Sequence, residues 1–140
     1  MIERVLVAMD GSDLAEQALR YALDAHRDAE LTVIHVVGGG SPMMGEATGL
    51  ALSDRDDDDG IREAAEPVFE RAEEIAAEHD RTVETLIAAG RPARTIIDHA
   101  EGFDTVVLGT HNSSLADRLL VGNVAKTVFQ KSPVPVTVVR

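Results

Sequence analysis

The chain has no cysteine, so it carries neither a disulfide framework nor thiol chemistry. Aromatic residues make up only 3% of it, which leaves the core to be built from Val, Leu, Ile and Ala. No apolar run reaches the roughly 18 residues of a membrane span, and no membrane partner is expected. The N-terminus lacks the basic segment, the apolar stretch and the cleavage site of a secretory signal, so a cytoplasmic location is the default expectation. Lysine is scarce: only 2 of the 13 basic residues are Lys, against 25 Asp and Glu. The formal net charge of −12 argues against nonspecific binding of DNA or RNA, which needs basic surface to displace counterions. Many acids with few lysines resemble the pattern of proteins from salt-adapted cytoplasm; an ordinary acidic soluble protein is the alternative.

Familiar catalytic motifs are missing as well. The chain contains no G-x4-G-K-[ST], no G-x-G-x-x-G and no G-x-S-x-G, and no Ser-His-Asp set can be assigned from spacing. Its five histidines show no ligand spacing with nearby carboxylates. Asp56 to Asp59 share only charge with a calcium loop, lacking its alternating ligands and final Glu. An efficient enzyme is therefore not expected, and no catalytic residue or metal ligand is assigned.

What is present is a regular alternation. At 140 residues and 44% apolar, residues 1–140 fit one domain with a single core. Residues 4–9 form a nearly continuous apolar run, as in a strand buried on both faces. Asp10-Gly11-Ser12-Asp13 breaks it. Ser12 or Asp13 can cap the next helix, whose stripe is Ala15, Ala18, Leu19, Ala22 and Leu23 and whose end is predicted near Asp28. A second buried strand, 31–37, contains His35, a residue type more often packed than catalytic at such a place. Residues 38–60 read as a long loop with an acidic run. A helical stripe from Ile61 to Ala76 follows, and Pro67 predicts a kink or a helix in two parts. Strand three is predicted at 82–87. Pro92 suits the first turn of the next helix, which Gly102 ends. Strand four is predicted at 105–108, and strand five at 134–139, where Pro135 implies an edge. Strands alternating with helices imply an α/β protein, a parallel sheet with helices on both faces.

The most informative stretch runs from Gly109 to Val124: a strand end, a loop of small polar residues, then Gly122-Asn123 leading into a helix. Asn123 is a good N-cap candidate, and free N–H groups with the helix dipole favour an anion there. His111, Arg118 and Lys126 are cations in or near this loop.

The spacing of Gly109 and Gly122 resembles the G-x2-G-x9-G-[ST] nucleotide loop of the universal stress protein family. Asn112 stands in place of the middle glycine and Asn123 in place of Ser or Thr. Val7-Ala8-Met9-Asp10-Gly11-Ser12, His35-Val36-Val37 and Gly90-x-Pro92 extend the resemblance over all five strands. It implies an open five-stranded sheet of order 3-2-1-4-5, of the adenine nucleotide alpha hydrolase-like kind. Asp10 and Gly109 would then meet at the switch point, where such sheets bind ligands. The resemblance further implies ATP or ADP, with Mg2+, held by Ala8, Asp10, Val36, Gly109, Thr110, His111, Asn112, Ser113, Gly122, Asn123 and Val124. Asp10 would touch the ribose and Val36 would offer its backbone to adenine. It also implies a homodimer through 134–139, whose Val-rich edge would otherwise be an aggregation hazard. Two readings follow: a nucleotide-binding stress-response regulator, or a dimeric stress or scaffold protein that binds no nucleotide and acts through protein contacts. A weak ATPase is a third.

Overall fold

The computed structural model describes residues 1–38, 56–110 and 122–140, with backbone alone at 56–59. The elements in chain order are β1 (Arg4–Ala8), α1 (Asp13–Ala25), β2 (Glu30–Val37), α2 (Asp56–Glu78), β3 (Glu84–Ala89), α3 (Pro92–Ala100), β4 (Thr105–Gly109), α4 (Asn123–Lys131) and β5 (Val136–Val139). The five strands form one sheet of order β3-β2-β1-β4-β5. All four strand pairs are parallel.

The continuous apolar runs have a simple cause. Successive side chains of a strand point to opposite faces, and here both faces are covered. Val5, Val7, Val33 and Val107 pack under α1 and α2 with Leu19, Leu23 and Ile75. Leu6, Ile34, Val106 and Leu108 pack on the other side with Ile96, Ala100, Ala125 and Val128 of α3 and α4. The sheet thus separates two aliphatic clusters. Among the described residues, no helix is long and apolar enough to cross a membrane.

Several boundaries differ from those expected. Of residues 38–60, expected to be loop, 39–55 lie outside the described residues, and α2 already begins at Asp56, so the acidic run occupies the first turn of a helix. Carboxylates are favoured there by the helix dipole. Pro67 does not divide α2, which continues as one element of 23 residues. Ala65 before the proline is buried, and Ala72, Ile75 and Ala76 after it are buried in the cluster that includes the sheet's Val5, Val7, Val33 and Val107. Helix α1 stops at Ala25 instead of near Asp28, because His26 leaves helical dihedrals as its C-cap. Strand β3 sits two residues later than predicted, and its half-exposed character fits its place at one edge. Strand β5 lies at the opposite edge as Pro135 implied, but it starts after that proline rather than at 134. The Pro135 carbonyl instead accepts hydrogen bonds from the Val106 N–H and the Thr105 hydroxyl.

Candidate functional site

Strands β1 and β4 are neighbours whose following helices lie on opposite faces of the sheet. Their carboxyl ends therefore open onto a crevice. Of the residues selected from sequence, Ala8, Asp10, Val36, Gly109, Thr110, Gly122 and Val124 line this crevice. Asn123 is next to it and exposed, and is absent from the lining. His111, Asn112, Ser113 and Arg118 lie outside the described residues. The crevice encloses about 110 Å³. Sites for small organic ligands enclose roughly 300–1,000 Å³, so these residues make the floor of a site rather than its full enclosure.

On the β1 side, Gly11 turns the chain with φ +86°, a conformation that side chains with a Cβ rarely adopt. That turn lets Asp10 Oδ1 accept the Ser12 N–H at 3.0 Å. Ser12, not Asp10, is the N-cap of α1, and its hydroxyl accepts the Ala15 N–H at 3.2 Å. Asp10 is thus held by the turn but not consumed by capping. It is exposed at the crevice and is the one charged side chain lining it among the described residues.

On the β4 side, Thr110 is buried and its N–H donates to the Val139 carbonyl at 2.9 Å. Its own carbonyl accepts the Gly122 N–H, so the chain leaves and re-enters the crevice at two bonded points. Gly122 is the N-cap of α4, correcting the assignment of that role to Asn123, which is the first helical residue. The extended backbone at Gly122 needs no side chain to start the helix, and the Lys126 N–H closes the first turn on the Gly122 carbonyl at 2.9 Å. No acidic residue occupies the first turn of α4, whereas that of α1 holds Asp13 and Glu16. Lys126 is exposed and does not line the crevice.

Gly109 has a packing role that turn geometry alone did not suggest. A Cβ there would stand 3.0 Å from Leu14 Cγ, so the missing side chain lets α1 sit against the end of β4.

The crevice also contains residues that motif reading missed. Ile34, Leu108, Ile96 and Ala125 extend the second aliphatic cluster up to its floor, and Met9, Ser12, Ala15 and Pro92 complete the lining. Their signal was helical and strand periodicity, which marks core and pocket alike. His35 is packed, as expected. It is half-buried, its ring meets Phe69 edge-on with centroids 6.4 Å apart, and Nδ1 lies 2.8 Å from the Met9 carbonyl. Among the described residues, no three potential metal-binding side chains cluster.

Comparison with known proteins follows the same outline. The model of the universal stress protein family matches residues 1–140. The chain belongs to the universal stress protein family. Universal stress protein YxiE of Bacillus subtilis is 34% identical over 148 residues, covering all of both chains. Among solved structures, the universal stress protein UspA from Lactobacillus plantarum is 27% identical with a TM-score of 0.76, over 99% of this chain and 98% of that one.

Three more distant structures share the fold and were solved with nucleotides. A universal stress protein in complex with cAMP is 22% identical, with a TM-score of 0.71 over 99% of this chain and 97% of its own. The Archaeoglobus fulgidus protein in complex with dAMP is 22% identical, with a TM-score of 0.69 over 100% and 98%. An Arabidopsis thaliana family member with AMP bound is 16% identical, with a TM-score of 0.66 over 98% and 90%.

Proposed function

We propose that this universal stress protein is a stress-response regulator that binds an adenine nucleotide, ATP or ADP included, in the crevice between β1 and β4. The observation that carries this reading is the junction at Thr110 and Gly122. There a strand end and a helix N-terminus are bonded to each other, and the helix has a glycine N-cap and no acid in its first turn. Its first N–H groups and its dipole suit a phosphate. Asp10, on the opposite wall, suits ribose hydroxyls, and the aliphatic floor of Ile34, Ile96 and Leu108 suits a base. The family members holding AMP, cAMP and dAMP support the same class of ligand. Mg2+ would arrive as the counter-ion of the phosphates, since the described residues gather no metal-binding cluster of their own. Binding and regulation, rather than catalysis, is the role assigned.

Calorimetric titration with Mg-ATP, ADP and AMP tests this. Native protein should bind, Gly122→Val should lose at least tenfold in affinity, and Asn112→Gly should gain by restoring the glycine that the family loop has at that position. A native protein that binds none of the three, and that releases no nucleotide on heat denaturation, rules the reading out. The second reading, a scaffold without nucleotide, is favoured by Asn112 and Asn123 standing where the family loop has Gly and Ser or Thr.

We also propose a homodimer in which β5 pairs with the same strand of a second copy. The strand is half-buried along its length and, among the described residues, pairs only with β4, which leaves its other edge for a second copy. Sedimentation of the native protein as a monomer throughout the micromolar range would rule out this interface.

A further inference from the structure

We infer that His35 is a positioning residue for the crevice, acting by ending the β1–β2 ladder one bond early. The ligand half of this inference rests on the nucleotide reading above; the ladder half does not. Strands β1 and β2 pair in register up to Ala8 and Ile34, and the Met9 N–H then donates to the Ile34 carbonyl at 3.0 Å. In a parallel ladder, the next bond would run from the Val36 N–H to the Met9 carbonyl. Among the described residues, that carbonyl instead takes the His35 ring at 2.8 Å. A carbonyl only accepts, so Nδ1 carries the proton and donates. Phe69 of α2, edge-on to the ring, packs beside it from the same face of the sheet.

The substitution of a side-chain bond for a ladder bond has two effects. Alternate residues of a strand direct their backbone groups to opposite neighbours. The Ile34 carbonyl serves β1 and the Val37 carbonyl accepts the Gly90 N–H on the β3 side, so the Val36 groups are directed toward the β1 side. There, past the end of the ladder and in the lining of the crevice, the Val36 N–H has no acceptor among the described residues and is left to a ligand. The Met9 carbonyl, fixed by His35, belongs to the peptide that leads directly into Asp10. One imidazole thus sets a backbone donor on one wall and a carboxylate on the other. A donor N–H beside a carbonyl complements adenine, whose N1 accepts and whose amino group donates. It opposes guanine, whose N1 donates and whose O6 accepts.

The test uses full-length native protein, His35→Leu and His35→Asn, whose amide nitrogen can stand where Nδ1 stands. Two quantities are read: hydrogen exchange of the Val36 amide without ligand, and the ratio of Kd for GMP to Kd for AMP. In His35→Leu the Met9 carbonyl takes the Val36 N–H, so exchange of that amide should slow at least tenfold. The preference for AMP should fall by about tenfold, the scale of one lost hydrogen bond to a buried partner. His35→Asn should restore both. Should His35→Leu fail to fold, His35→Gln, whose nitrogen falls nearer the Nε2 position, gives the same comparison. Unchanged Val36 exchange and an unchanged ratio in a folded variant overturn the inference while leaving the nucleotide reading intact. Native protein that binds neither nucleotide overturns the nucleotide reading and the ligand half of the inference, while Val36 exchange still decides the ladder half.

Discussion

The two ends of the sheet are built on opposite plans. At the amino end, polar groups are spent on one another. The Asp104 carboxylate accepts the Glu3 and Arg4 N–H groups at 2.8 and 2.9 Å, tying the starts of β1 and β4 together. The Arg4 guanidinium donates to the Gly102 carbonyl at 2.6 Å and lies 4.6 Å from the centre of the Phe103 ring. Arg81 donates to the carbonyls of Leu23, His26 and Ala29, closing the exit of α1, whose own last turn holds no basic residue. At the carboxyl end, small residues and a glycine N-cap leave backbone groups beside an open crevice. One end spends its hydrogen bonds on stability; under the proposed function, the other presents its backbone groups to a ligand. Stability and binding should therefore separate by location.

The largest separation is expected at Arg81. Arg81→Ala leaves three carbonyls without their charged donor at the C-terminus of α1. Hydrogen bonds to charged groups contribute about 1.5–3 kcal/mol, so a loss of about 2–3 kcal/mol in denaturant unfolding is predicted. For a chain of this size that lowers Tm by roughly 5–10 °C. Nucleotide affinity should stay within about twofold of native. A large loss of binding in the folded variant would join the two ends that this account keeps apart.

Gly109→Ala probes the carboxyl end. Its methyl would meet Leu14 Cγ at 3.0 Å and push α1 away from the strand end. Overpacking of this kind costs about 1–2 kcal/mol. Because Gly109 lines the crevice, affinity should also drop, by tenfold or more in calorimetry. Stability and affinity both at native values would show that Leu14 and the ligand yield freely.

The smallest effect is at Asp104. Its pKa is held below the ordinary carboxylate value of 3.8, first by the Glu3 N–H and then by the Arg4 N–H. A carboxylate with a depressed folded pKa contributes stability above its unfolded value and loses it as pH falls through the folded one. Native protein and Asp104→Asn should therefore differ most at neutral pH and converge in strong acid. Urea midpoints from pH 7 to pH 2 read this directly. A difference that persists unchanged to pH 2 would remove charge as its cause.

The contrast between the ends also explains what could be read from sequence. The alternation of strands and helices, the burial of β1 and β2, and the edge position implied by Pro135 were legible because periodicity and proline chemistry are local. Asp10, Gly109 and Gly122 could be placed at the crevice because the family resemblance supplied the strand order and the loop spacing that bring them together. Long-range polar contacts were not legible: nothing in the spacing joins Asp104 to Glu3, or Arg81 to the end of α1. His35 read as a packed residue, but its acceptor is a backbone carbonyl 26 positions away, which no side-chain motif encodes. The capping of α4 was misread because Asn123 has the better cap chemistry, whereas the chain turns one residue earlier, at Gly122.

The most direct test of a ligand-directed carboxyl end is a titration of AMP into isotope-labelled protein, followed amide by amide. Binding in the crevice predicts the largest shifts at Met9 to Ser12, Val36, Gly109, Thr110 and Gly122 to Ala125. Glu3, Arg4, Arg81 and Asp104 should stay unmoved. Shifts concentrated at the amino end, or none anywhere at millimolar AMP, would contradict the account.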